Sequence, residues 1–218
     1  MRTGAAGGIA AKYLAKKDPR TVSFIGAGVQ ARTQLLALLS VFSSLQEIRV
    51  WDISSIAKEA FVAEIKAKKG QLQVVSAKTA EAAVTESDIV VTTTPSTKPV
   101  VLNSWVSDGT HFNCIGADAP LKEELDPAIL RRSKIIVDNW DQASHSGEIN
   151  VPVSNGMISK ESVWAELGEV VAGIKPGRSS LNEVTVFDST GLAIQDAITA
   201  ELVYRKAIDK KIGRFISL

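Results

Sequence analysis

The sequence predicts an α/β fold built on a doubly wound parallel sheet, and three observations predict it. From Thr21 onward, short β-branched runs alternate with longer stretches of helical spacing, the pattern that buries a parallel sheet between layers of helices. The runs are apolar throughout rather than alternating, as strands covered on both faces are. A glycine turn, Gly26-Ala-Gly-Val-Gln-Ala31, directly follows the first run, where such folds pass from strand to helix.

In order, the strands are TVSFI (21–25), IRVW (48–51), LQVV (72–75), DIVVTTT (88–94), HFNCI (111–115), KIIVD (134–138) and, late in the chain, EVTVFDS (183–189). Between them VQARTQLLALLSVF (29–42), AKEAFVAEIKAKK (57–69), TAEAAVTE (79–86) and DPAILRRS (126–133) carry helical spacing. The last two open on Thr79 and Asp126, residues that cap helices. VWAELGEVVAG (163–173) also reads as a helix, followed by KPGR as a turn.

Composition bounds the function. A chain of 218 residues with 45% hydrophobic and 22% charged residues and a net charge of +1 is ordinary globular protein. Such a balance gives no basis for nucleic-acid binding. The single Cys114 has no partner for an internal disulfide, and MRTGAAGG lacks an apolar signal core, so a cytoplasmic protein is expected. No apolar run reaches the roughly 18 residues of a membrane span, and no close-set His and Cys pattern supports a metal centre.

Gly26, Gly28 and Ala31 meet the form GxGxxA, in which the backbone approaches a pyrophosphate at a helix N-terminus. Asp52 ends the next strand, where a carboxylate can accept hydrogen bonds from ribose hydroxyls. Together they predict a Rossmann-type dinucleotide site. Asp52 would repel a phosphate on that ribose, and Ile53, Ser54 and Ser55 supply no positive charge, so NAD is favoured over NADP. The alternative reading makes Asp52 a cap for the helix that follows. A Tyr13-x-x-x-Lys17 pair precedes the first strand, in the wrong order for a short-chain dehydrogenase.

Two segments do not fit a self-contained nucleotide domain. RTGAAGGIAAKYLAKK (2–17) reads as a helix of small residues ending near Asp18-Pro19, and GLAIQDAITAELVYRKAI (191–208) repeats Leu192, Ile194, Ile198, Leu202 and Val203 at near-helical spacing. The expected organisation is a leading helix (1–18), a nucleotide domain (19–190), and a C-terminal helix and tail (191–218), both flanking helices belonging to an incomplete second domain. The alternative pairs the two helices with each other across the sheet edge.

Ligands of open parallel sheets lie beyond the carboxyl ends of the strands. Asp118 follows HFNCI there, as a general acid or base or as a turn former before Pro120. Its spacing leaves both readings open. Gly116 is expected to allow close approach of a bound ring, and Thr92, Thr93 and Thr94 to line a cofactor or simply favour a strand. Arg2 opens a helix where its charge is unfavourable, which points to an anionic partner. His111, inside a strand, reads as a core residue; His145 lies on a polar segment nearer the site.

RTGAAGGIAAKYLA, FIGAGVQA, VVTTTPS, GADAP, SGEIN and FDSTGLAIQDA, in that order, resemble the ornithine cyclodeaminase and mu-crystallin family, most closely its NAD-dependent alanine dehydrogenases of archaeal type. The resemblance implies a Rossmann domain joined to a substrate and dimerisation domain, and a homodimer. It implies that Arg2 clamps the substrate carboxylate and that Val29 and Gln30 contact the pyrophosphate. Asp52 would hold the ribose, flanked by Trp51 and Ile53; Thr93, Thr94, Gly116 and Ala117 would contact the cofactor, and Ser189 would lie beside the nicotinamide. Asp118 would be the catalytic acid or base. The implied reaction is oxidative deamination of L-alanine to pyruvate and ammonia, with cyclodeamination of ornithine or reduction of a cyclic imine as alternatives. The family's N-terminal segment, with a further arginine and a lysine for the substrate, has no counterpart in the sequence. The expectation is therefore the cofactor-binding part of a larger enzyme, or an inactive NAD(P)H-binding protein of mu-crystallin type.

Overall fold

The computed structural model describes residues 1–68, 72–214 and 216. The chain runs through α1 (Arg2–Leu14), β1 (Thr21–Ile25), α2 (Val29–Val41), β2 (Glu47–Trp51), α3 (Ser55–Lys68), β3 (Gln73–Ser76), α4 (Ala80–Val84) and β4 (Ile89–Thr92). It continues through β5 (Thr97–Val101), β6 (His111–Cys114), β7 (Glu123–Leu125), α5 (Pro127–Arg131), β8 (Ser133–Val137), α6 (Trp140–Ser146) and α7 (Asn150–Ser154). β9 (Val163–Glu166), α8 (Leu167–Val171), β10 (Val184–Asp188) and α9 (Ala193–Asp209) complete it.

Eight strands form one sheet in the order β3-β2-β1-β4-β6-β10-β8-β9, every pair parallel. The chain winds outward from β1 through β2 to β3, then returns to the other side of β1 with β4. That reversal opens a crevice at the carboxyl ends of β1 and β4. β10, the last strand, inserts between β6 and β8 and is buried at every position. The expected strands all form, and Thr79 and Asp126 cap α4 and α5 by accepting from Ala82 N and Ala128 N.

Two expectations are corrected. VWAELGEVVAG is not one helix: VWAE is the edge strand β9 beside β8, and only Leu167–Val171 is helical. An exposed edge strand ending in an apolar turn mimics helical spacing, and only the partner strand decides. α1 stops at Leu14, before Asp18-Pro19. The reading also lacked β5 and β7, which pair in a small second sheet. Lys69, expected to end the third helix, lies outside the described residues, as do Phe215, Ser217 and Leu218.

α1 lies flat on the sheet. Its Ala6, Ala10 and Leu14 pack with Ile136, Phe187, Leu167 and Val170, while Ala11 joins Val22, Phe24, Leu35 and Leu38. Beneath it runs a buried polar chain. Gln34 donates to Thr3 O (3.0 Å), Asn113 Nδ2 donates to Gly7 O (3.1 Å) and Gln34 Oε1 (3.2 Å), and Asn113 Oδ1 faces His111 Nε2 (3.0 Å). His111 Nε2 therefore carries the proton, and Nδ1 lies 2.9 Å from Thr185 Oγ1. Burial, aided by the Arg178 charge, lowers the imidazole to about 3, so it is neutral. His111 is the core residue its strand suggested.

The small residues of α1 let it approach α2 closely. A Cβ on Gly4 would lie 2.6 Å from the carbonyl carbon of Thr33, and one on Gly7 would lie 2.7 Å from Gln34 Cδ. Gly4→Ala should therefore cost about 1–3 kcal/mol through overpacking, lowering the melting temperature by roughly 2–4 °C per kcal/mol. An unchanged melt would show that α1 is held elsewhere.

Candidate active site at the switch point

The glycine turn leaves β1 with Gly26 at φ +101, a conformation that favours glycine. A Cβ there would also lie 2.7 Å from Thr93 Oγ1. Gly28 differs: nothing lies within 4 Å of the position its Cβ would take. It is the N-cap of α2 and provides no side-chain capping bond, so no cap side chain receives the first N–H groups of this 13-residue helix. Arg32, which the sequence reading passed over, holds the turn from behind. Its Nη1 donates to the carbonyls of Ala27 (2.7 Å) and Gly28 (3.1 Å), while Nε donates to Glu64 (2.6 Å). An arginine in the first turn of a helix opposes the dipole, and that was the available signal.

Asp52 ties the glycine turn to the residues just before α3, whose first turn is bonded by Ser54, with Oγ accepting from Ala57 N (3.2 Å). One Asp52 oxygen accepts from Ala27 N in the turn (2.7 Å) and the other from Ser54 N at the start of α3 (2.7 Å). Each oxygen keeps a lone pair for a ribose hydroxyl. Trp51 is half-buried, whereas Ile53 and Val29 are exposed on either side of this rim.

A cleft of about 260 Å³ at the carboxyl ends of β4 and β6 brings together Arg2, Gln30, Thr93, Thr94, Gly116, Asp118, Lys122 and Ser189. Thr92 and Ala117 are buried and lie outside it. His145 is exposed on α6, its Nδ1 2.7 Å from Asp141 O, also outside. Gly116 is small where the chain packs against itself. A Cβ there would lie 2.6 Å from Thr94 N and from Glu124 Oε2, so the close approach is to the chain itself. Arg2 has an anionic partner within the chain: Nε donates to Asp196 at 2.8 Å. Its two terminal nitrogens bond no described residue.

Behind the cleft lie carboxylates that sequence reasoning missed. Glu124 is fully buried; one oxygen accepts from Thr94 N (2.6 Å) and Thr94 Oγ1 (2.7 Å), the other from Gly116 N (3.0 Å). Glu148 accepts from Glu124 N (2.9 Å) and Leu125 N (2.6 Å). Asp188 accepts from Ile149 N (3.1 Å), and Asp138 accepts from Ser189 Oγ (3.0 Å) and Gly191 N (2.8 Å). Burial raises all four carboxyls, Asp188 to about 7. It also pushes the Cys114 thiol up, which makes it inert. Among the described residues no group of His, Cys, Asp and Glu could hold a metal. No described helix is long and apolar enough to cross a membrane.

The Ornithine cyclodeaminase/mu-crystallin family model matches residues 1–211. Alanine dehydrogenase of Archaeoglobus fulgidus is 51% identical over 213 residues, 98% of this chain and 65% of that protein. An archaeal alanine dehydrogenase dimer with bound NAD superposes with a TM-score of 0.94 at 50% identity, over 99% of this chain and 66% of that one. Thermococcus litoralis Δ1-pyrroline-2-carboxylate reductase, in complex with NADH and L-proline, superposes with a TM-score of 0.94 at 42% identity, over 99% and 66%. This chain thus spans 65% of the length of the Archaeoglobus protein.

Because Asp188 is raised from 3.8 to about 7, the folded chain keeps a proton that the unfolded chain releases between those values. Its contribution to stability is greatest below about pH 4 and declines as pH rises to about 7. Asp188→Asn should remove that decline, flattening the melting temperature against pH across the window. Above pH 7 the variant is expected to melt higher than wild type. A variant that melts lower at every pH would show that the carboxyl group itself is required.

Proposed function

The chain belongs to the ornithine cyclodeaminase/mu-crystallin family, and from that premise we propose that it binds NAD and oxidises an L-amino acid at its α-carbon, as part of an alanine dehydrogenase that converts L-alanine to pyruvate and ammonia. The observation that carries this reading is the cleft that joins Arg2, Asp118 and Ser189 beside the uncapped start of α2.

The residues present fit the cofactor. The open space over Gly28 and the free N–H groups of α2 suit a pyrophosphate. The spare lone pairs of Asp52 suit ribose hydroxyls, and its charge disfavours a phosphate there. Gln30, Thr93, Thr94, Gly116 and Ser189 line the path onward into the cleft. NAD supplies an acceptor for the hydride from the substrate's α-carbon.

The chain's own residues do the rest. Asp196 occupies only Nε of Arg2, so the terminal nitrogens of its fork can hold the substrate carboxylate. Asp118 faces the cleft with its side chain 65% exposed. There it takes a proton from the water that adds to the imino carbon and returns one to the departing amine. Ser189, held by Asp138, contributes a fixed polar wall.

The relationship to a reductase bound to L-proline favours a second reading, reduction of a cyclic imine, which forms the same C–H bond next to nitrogen. In either reading residues 1–18 and 191–218 belong with the substrate and dimerisation domain. The exposed Ile194, Ile198, Leu202 and Val203 of α9 would face a second subunit in a homodimer.

NADH formation by the purified protein with NAD and L-alanine tests the reaction, and NADH fluorescence tests binding. Absence of binding sinks the whole reading; turnover of L-proline without L-alanine moves it to the cyclic imine. Asp118→Asn should lower turnover about 100-fold or more and leave NADH binding intact. Gly28→Ala is a sharper probe of the cofactor site. With φ −79 and no atom within 4 Å of the new methyl, it should leave the melting temperature unchanged while weakening NADH binding about tenfold or more, by filling the space for a phosphate. Equal binding would place the cofactor elsewhere.

A further inference from the structure

We propose that Asn150 and Lys122 are positioning residues for Asp118: Asn150 holds a left-handed turn at Leu121, and that turn brings the Lys122 ammonium onto one oxygen of the Asp118 carboxylate. The proposal rests on the reading of Asp118 as the acid or base of the reaction.

Asp118 sits on the irregular loop between β6 and β7, so no ladder or helix orients its side chain. Glu124 anchors the start of this loop through Gly116 N. Its far end depends on Leu121. That residue has φ +67, a left-handed conformation that opposes a bulky side chain, and it is 72% exposed, so packing does not enforce it.

Asn150 enforces it instead. Only 5% exposed, it accepts from Leu121 N with Oδ1 (2.9 Å). Its Nδ2 donates to Lys122 O (2.8 Å) and to Gly147 O (2.5 Å). The first two bonds bracket the Leu121–Lys122 peptide, and the third ties the amide to its own segment. An amide that both donates and accepts suits this task, where a carboxylate would leave two carbonyls without a donor.

The consequence falls at the cleft. Lys122 Nζ reaches Asp118 Oδ1, although no helix spans residues 118–122 and spacing alone would not bring them together. Lys122 is the more buried partner, with its side chain 25% exposed against 65% for Asp118. Among the described residues Oδ2 of Asp118 has no bond. One oxygen is thus fixed and the other is left for the proton. An exposed ion pair contributes little to stability, so the value of this contact lies in aim.

The test compares Asn150→Ala, Lys122→Met, Lys122→Arg, the Asn150→Ala/Lys122→Met double variant, and Asn150→Ala combined with Leu121→Gly. Turnover should fall roughly 10- to 100-fold in Asn150→Ala and in Lys122→Met through kcat, with NADH affinity within about twofold of wild type because neither residue touches the glycine turn. Lys122→Arg should recover most of the rate. The double variant should be no slower than Lys122→Met alone, since both act through one contact. Leu121→Gly should restore part of the Asn150→Ala loss, because glycine adopts the left-handed turn without a clamp. Additive losses, or an unchanged rate in Lys122→Met, would overturn the proposal. So would a fall in NADH affinity and melting temperature that tracks the fall in rate.

A readout independent of activity is the proton–nitrogen correlation of the Lys122 ammonium, slowed in solvent exchange by its carboxylate partner. It should be present in wild type and lost in Asp118→Asn and in Asn150→Ala. If that pattern holds while wild type turns over no amino acid, the contact stands and the functional reading has failed. If wild type is active and the signal ignores Asn150, the positioning role is wrong.

Discussion

Where a parallel strand ends, the loop that leaves it carries backbone N–H groups with no ladder to receive them, and in this chain carboxylates receive them. Asp52 serves β1 and β2 through Ala27 and Ser54, Glu124 serves β4 and β6 through Thr94 and Gly116, and Asp138 serves β8 and β10 through Gly191. Glu148 then supports Glu124 itself. Hydrogen bonds to a charged acceptor contribute about 1.5–3 kcal/mol, and an orphaned buried N–H costs a similar amount. The rim of the cleft is therefore stiff because each loop is tied to its neighbour across a strand end. Its cost is the burial of acids without a cation, which raises Glu124, Glu148, Asp138 and Asp188.

This division sets the buried acids apart from the open one. The buried carboxylates are shielded from solvent and bonded mostly to backbone N–H groups, with Ser189, Gln195 and Thr94 side chains adding to Asp138 and Glu124. Asp118 alone among the aspartates and glutamates of the cleft lining stands open to it. Arg2 and Lys122 are the cations of the same lining. Each is held by one carboxylate, Asp196 and Asp118 respectively, so the cleft sets a guanidinium and an open carboxylate side by side without leaving either charge unopposed.

The parts legible in the sequence share a property: their signal is local. The strands buried on both faces, the glycine turn and the acid ending β2 announce themselves through residue type and spacing. β9 does not, because a half-exposed edge strand running into an apolar helix repeats at nearly the helical period. β7 reads as EEL, two charges that suggest solvent, yet Glu124 is fully buried. Its acceptors' partners, Thr94 and Gly116, lie 30 and 8 residues away. Leu121 is harder still. A left-handed turn is expected at glycine or asparagine, and here the asparagine that stabilises it is Asn150, 29 residues on. Lys122 and Asp118 are close in sequence, but what joins them is not.

The placement of Arg2 at the cleft follows from a different device, and the contrast is informative. α1 has few large side chains to lock its axial position, and a stripe of alanine and glycine could slide along the sheet at small cost. The buried polar chain removes that freedom, since Gln34 and Asn113 each donate to a specific carbonyl of α1, Thr3 O and Gly7 O. Moving the helix by one residue would break both bonds in the core, where replacements from water are absent. His111 orients Asn113 and stays neutral because burial holds it near 3. The register of α1, and with it Arg2, is thereby insensitive to pH across the range in which the acids behind the cleft change charge. The cation at the cleft is set by neutral groups, and the loop bearing Asp118 by ionisable ones.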